Sequence, residues 1–182
     1  DCSIMCGRTG VDLIAALCAP REEGFLQRAA AIVARTDVAC SLELLDADEW
    51  LYGRVGFLRA LLELRREGRT VPGLDDAIQR VVAATLASGR RHGGDDLRYA
   101  WHGKEYVGAA HGYAGILYLL LKAGCRDPAL RARIGRLGRR VLVEARLEQR
   151  LDGCQHGLGI IAFGMDFQRA ATGSGEHQCR WA

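Results

Sequence analysis

Two side chains in this sequence are placed to move protons. His111 stands in Ala109-Ala110-His111-Gly112, at the head of the apolar run Ala114 to Leu121. Near neutral pH an imidazole can both give and take a proton, although a lone histidine at a helix head also serves as a cap or a core residue. Glu49 lies four residues before Gly53, one helical turn away, with apolar Trp50 and Leu51 beside it. It is expected near a cavity mouth as an acid/base group. Glu49, Asp46 and Asp48 read equally as first-turn acids that complement a helix dipole, and Asp46 and Asp48 are the weaker acid/base candidates. Tyr52, Arg54, His102, Lys104, Tyr106 and Arg8 add phenols, cations and an imidazole suited to holding a carboxylate-bearing ligand. Arg8 and Arg54 share one offset inside their Gly-x-x-Gly units, so two guanidinium groups are expected to face the same cavity.

These groups must be positioned by helices. Gly7-Arg8-Thr9-Gly10, Gly53-Arg54-Val55-Gly56 and Gly112-Tyr113-Ala114-Gly115 each precede an apolar run, and their first glycines lie 46 and then 59 residues apart. Periods of this size mark a repeated supersecondary unit. Each unit pairs a Gly-headed apolar helix with a more polar, amphipathic one. Glycine at both positions is expected to let helix starts crowd around a common axis. The first amphipathic helix runs from about Phe25 to Ala34 behind Glu22 and Glu23. The next runs from Leu74 to Gly89, and a polar loop follows from Arg90 to Tyr99. The central helix after His111 is apolar over most of its circumference, with Gly124 as its C-cap. Unpaired N–H groups at its start are expected to meet whatever binds there. A further amphipathic helix is expected from Cys125 to Gln149, opened by Asp127-Pro128. Its Arg-rich face (Arg131, Arg133, Arg136, Arg139, Arg140) is read as a solvated face first, and as an acidic-lipid or partner surface second.

Leu51-Tyr52-Gly53-Arg54-Val55-Gly56 and Trp101-His102-Gly103-Lys104-Glu105-Tyr106-Val107-Gly108-Ala109-Ala110-His111-Gly112 carry a family likeness, with Cys6-Gly7-Arg8-Thr9-Gly10 as a looser third match. Through them the chain resembles the lanthionine synthetase C-like (LanC-like) family, its eukaryotic branch in particular, over roughly residues 1 to 150. The resemblance implies an all-α fold, a partial α/α toroid with about three repeats. It marks His111 as a catalytic proton-transfer residue and Glu49 as the position of a general acid/base. It also implies zinc-dependent addition of a thiol, glutathione in eukaryotes, to dehydroalanine or dehydrobutyrine in peptides or proteins. The family's zinc ligands, a Cys-x-Gly helix start and a Cys-His-Gly, are not matched. Only Cys154-Gln155-His156-Gly157 comes near, so Cys154 and His156 are weak metal candidates, with His177 or Cys179 as partners. Zinc is expected for the family but not for this chain, which is expected to be inactive alone.

Composition agrees with one globular domain that can bury a core. The 182 residues are 49% hydrophobic with a net charge of +3, which gives no electrostatic case for nucleic acid. No apolar run reaches about 18 residues. Seven cysteines form no Cys-x-x-Cys pair, which fits a reducing cytoplasmic setting, peripheral at the plasma membrane at most. Cys18 and Cys40 are expected to be small core residues. The chain opens on Asp1 inside an apparent repeat, and residues 151–182 read as a divergent, poorly ordered tail. It therefore reads as a truncated or fragmentary family member. An open arc of repeats would expose apolar ends and associate. Two alternatives remain: a non-catalytic protein that binds glutathione or a partner, and a toroid glycoside hydrolase using Glu49 with Asp95 or Asp96.

Overall fold

The structure, a computed structural model, describes residues 2–137. The chain divides into two compact units, residues 1–125 and 126–182. The described residues are helical and include no strand, only an isolated bridge between Trp101 and Lys104. The first unit contains α1 (Arg8–Leu17), α2 (Glu22–Val33), α3 (Thr36–Cys40), α4 (Arg54–Arg66), α5 (Leu74–Gly93) and α6 (Tyr113–Lys122), with a 3-10 turn at Gly94–Asp96.

α4 is the centre of this unit. Val55, Phe57, Leu58, Ala60, Leu61 and Leu64 are all fully buried, so the helix is covered over most of its circumference, with Arg59, Glu63, Arg65 and Arg66 toward the open side. It packs against α1, α2, α3, α5 and α6. The amphipathic helices each turn one stripe inward: Phe25, Ala29 and Ile32 from α2, and Ile78, Val81, Thr85 and Leu86 from α5. Acids open both of these helices, Glu22 and Glu23 in α2 and Asp75 and Asp76 in α5, where they complement the helix dipole.

α6 ends as the sequence suggests. Gly124 adopts φ 86°, its N–H bonds to Leu121 O at 2.9 Å, and Cys125 N–H bonds to Leu120 O at 3.0 Å. This pair of bonds is a Schellman cap, and only glycine takes the left-handed position without steric cost. In the second unit, residues 128–137 are helical and Asp127 Oδ1 accepts the Ala129 N–H at 2.9 Å, as Asp127-Pro128 predicts. The expected continuation to Gln149, Arg139 and Arg140, and the boundary near residue 150 lie outside the described residues.

Two expectations need correction. α5 continues through Arg90, Arg91 and His92 to Gly93, because their solvated side chains extend its wet face instead of breaking it. Cys18 is exposed and Cys40 half-exposed, since both fall at helix C-terminal ends and not within a stripe. α3 was not foreseen. On α1, Val11 and Ile14 are 60% and 62% exposed. Among the described residues no helix is long and apolar enough to cross a membrane.

Candidate functional site

The segments that lead into α4 and α6 share one backbone design. Arg54 and Val55 donate their N–H groups to Ala47 O and Asp48 O, at 2.9 and 3.3 Å. Tyr113 and Ala114 do the same to Tyr106 O and Val107 O, at 2.9 and 3.1 Å. Each acceptor lies seven residues upstream. The first N–H groups of α6 are therefore already taken, contrary to the expectation that they await a ligand. The second glycine of each unit explains the closeness. A Cβ on Gly10, Gly56 or Gly115 would run into the carbonyl oxygen of Ile4, Trp50 or Ala109, in each case six residues earlier. Glycine here makes room for the chain's own lead-in and not for a neighbouring helix.

These lead-ins are stitched side by side. Met5 N–H bonds to Leu51 O at 3.2 Å, and Trp50 N–H bonds to Ala110 O at 3.0 Å. The second stitch brings Glu49 and His111 together across 62 residues of sequence, with Nδ1 of His111 2.8 Å from Oε2 of Glu49. Glu49 is 1% exposed, and its oxygens also accept the N–H groups of Leu51, at 2.9 Å, and Tyr52. With Nδ1–H donated to this carboxylate, Nε2 is the ring nitrogen left open. The His111 side chain is 28% exposed, and Nε2 has no hydrogen-bond partner among the described residues. Glu49 does not reach a cavity mouth as expected. It is buried and hydrogen-bonded to Nδ1 of His111.

An aromatic wall fixes the plane of the imidazole. Trp101 lies parallel to His111, with centroids 4.0 Å apart and planes 3° apart. Tyr52 is nearly parallel to both rings at 6.2 Å, and Tyr106 is tilted toward His111 at 6.3 Å. Trp101 is held by a two-residue hairpin: His102 and Gly103 have φ 49° and 72°, and Trp101 and Lys104 exchange both backbone bonds, at 2.9 and 3.1 Å. Positive φ at both central residues is the type I′ turn, and histidine is among the few non-glycine residues that enter it readily. The turn leaves His102 and Lys104 exposed beside the aromatic wall. The base of this loop is closed by the exposed Arg98–Glu105 pair and by Tyr113, whose hydroxyl donates to Glu105 Oε2 at 2.9 Å.

Arg54 is elsewhere. It is wholly buried and ion-paired with Asp48, and it donates to Ala39 O at 2.8 Å and Leu45 O at 2.6 Å. Arg8 is exposed. The expectation that both guanidinium groups face one cavity fails because Arg54 has an acid six residues upstream and Arg8 has Cys2 there. Burial pushes the Asp48 carboxyl above the usual aspartate range, against the pull of Arg54 and of the Ser88 hydroxyl, 2.6 Å from Oδ2.

Comparison with known proteins shows the family of the chain. The family described as "Lanthionine synthetase C-like protein" matches residues 1–142. The chain belongs to the lanthionine synthetase C-like family. It is 50% identical over 78 residues to "LanC-like protein GCL1" of Arabidopsis thaliana, covering 39% of this chain and 17% of that protein. It is 39% identical over 84 residues to "Glutathione S-transferase LANCL1" of Danio rerio, covering 42% of this chain and 21% of that protein. The matched stretches thus span about a fifth of the length of these relatives.

Within this LanC-like chain the structure brings Glu49, Tyr52, Tyr106 and His111 together, with His102 and Lys104 at the edge. Trp101 was not foreseen as the stacking partner. Its signal was its place at the start of the family block, ten residues before His111. Among the described residues no three His, Cys, Asp or Glu side chains converge as a metal ligand set. Cys154, His156, His177 and Cys179 lie outside the described residues.

Proposed function

We propose that residues 2–137 carry the proton-transfer half of a LanC-like thiol-addition site. The reaction is addition of a thiolate sulfur to the β-carbon of dehydroalanine or dehydrobutyrine in a peptide. A C–S bond forms, the C=C π bond breaks, and the electron pair moves to the α-carbon as an enolate. A proton held at Nε2 of His111 then passes to that carbon. Glu49 keeps Nδ1 protonated, balances the imidazolium charge, and aims Nε2 outward. Trp101 covers one flat face of the ring, and Tyr52 lies beside the stack. The observation that carries this reading is the 2.8 Å contact between Nδ1 of His111 and the buried carboxylate of Glu49. Glutathione as the thiol is supported by the name of the Danio rerio relative. Exposed His102 and Lys104 would take its carboxylates.

The test supplies excess glutathione near neutral pH, where part of the thiol is thiolate and an imidazole can still carry a proton at Nε2, with a dehydroalanine peptide and the 182-residue chain. Proton delivery from one side of the enolate should give an excess of one product diastereomer. His111→Asn should return the ratio to that of buffer. A product ratio equal to buffer with the unaltered chain would overturn the reading. If glutathione then still bound in calorimetry, the chain would be a binding module. The glycoside hydrolase alternative needs an open carboxylate at Glu49, and that side chain is buried and fully bonded.

A further inference from the structure

The Asp48–Arg54 pair lies one residue from Glu49, and its geometry is more specific than a structural ion pair requires. Buried ion pairs add little net stability over well-packed apolar residues of the same volume, because desolvation offsets the attraction. What such a pair can supply is direction. Arg54 reaches four acceptors from a single fully buried guanidinium: Asp48 Oδ1, Ala39 O at 2.8 Å, Leu45 O at 2.6 Å and Ser41 O at 3.3 Å. Three of these are main-chain carbonyls of the segment that precedes Glu49. The fourth, Asp48, is itself fixed to α5 through Ser88 at 2.6 Å. Consecutive side chains then leave the chain in opposite directions, Asp48 toward Arg54 and Ser88, and Glu49 toward His111.

We propose that Arg54 is the positioning residue of the Glu49–His111 dyad: by holding Asp48 and the carbonyls of Ala39, Ser41 and Leu45, it sets the backbone from which Glu49 fixes the His111 tautomer. This rests on the dyad reading above. Arg54 touches neither substrate nor His111 and acts only through Glu49. Ser88, on α5, extends the same control one step further.

The tautomer can be read directly by long-range 1H–15N correlation on the full chain, with the His111 signal assigned through His111→Asn. The unaltered chain should show His111 protonated at Nδ1. If it does not, the dyad reading itself fails, whatever Arg54 does. Given that signature, Ser88→Ala should shift His111 partway toward the tautomer mixture of the exposed His102. Arg54→Met should bring it all the way, and Arg54→Lys should recover part of it. Circular dichroism confirms that each variant is folded. Should Arg54→Met fail to fold, Ser88→Ala and Arg54→Lys decide the matter. Folded variants whose His111 keeps the unaltered signature would overturn the proposal.

Discussion

The lead-in to α4 and the lead-in to α6 have the same main-chain bonds and opposite anchoring. In the first, residues 46–53, the side-chain anchor is internal: Asp48 against a guanidinium with no exposure. In the second, residues 105–112, the anchor is at the surface: Glu105 against Arg98, with side chains 33% and 55% exposed. One loop carries the orienting carboxylate and the other carries the imidazole that faces solvent. The difference teaches that the carboxylate half of the proposed dyad is anchored by a core ion pair, while the imidazole half is anchored by the Tyr113 hydroxyl and by an ion pair that water can compete with.

Replacing Arg54 by Ala should therefore have the largest effect. It strands a buried Asp48 and should cost about 3–5 kcal/mol in urea unfolding. A loss as small as that of a surface pair would erase the contrast. Asp12 supplies an intermediate case. It is buried, but its partners Arg28 and Arg35 are 44% and 22% exposed. Burial pushes its carboxyl up, and the Arg35 and Arg28 hydrogen bonds outweigh this, so its pKa lies below the usual value. Ionised Asp12 then contributes stability above the unfolded value, about 3.9, and that contribution is lost as pH falls through the folded one. Asp12→Asn should lower stability at neutral pH by less than Arg54→Ala and flatten its decline in acid. An unchanged acid limb would remove Asp12 from the comparison. Arg98→Ala should do least, leaving the urea midpoint where it was, as expected of an exposed pair. A midpoint drop like that of Arg54→Ala would mean that the second lead-in is core-anchored too.

The contrast also shows what was legible in the sequence. α4 and α6 could be read because a helix buried over most of its circumference is a dense apolar run, and Gly124 marks a stop by its backbone alone. α3 could not, because five residues hold too little periodicity to signal a helix. The meeting of His111 with Glu49 was named as two roles but not as one contact, since it depends on lead-ins 62 residues apart being stitched by Trp50 N–H. Arg54 was misread by its likeness to Arg8. The offset inside the Gly-x-x-Gly unit is the same, and the partner six residues upstream decides which way the side chain goes.

The glycines facing Ile4, Trp50 and Ala109 have a consequence for how this chain tolerates change. Each occupies a place where the next smallest amino acid would overlap a carbonyl oxygen of the same polypeptide. In a saturation library sorted for folded chains, the columns at residues 10, 56 and 115 should retain almost one letter each. The column at exposed Arg8, two positions before the first of them, should fill with most of the alphabet.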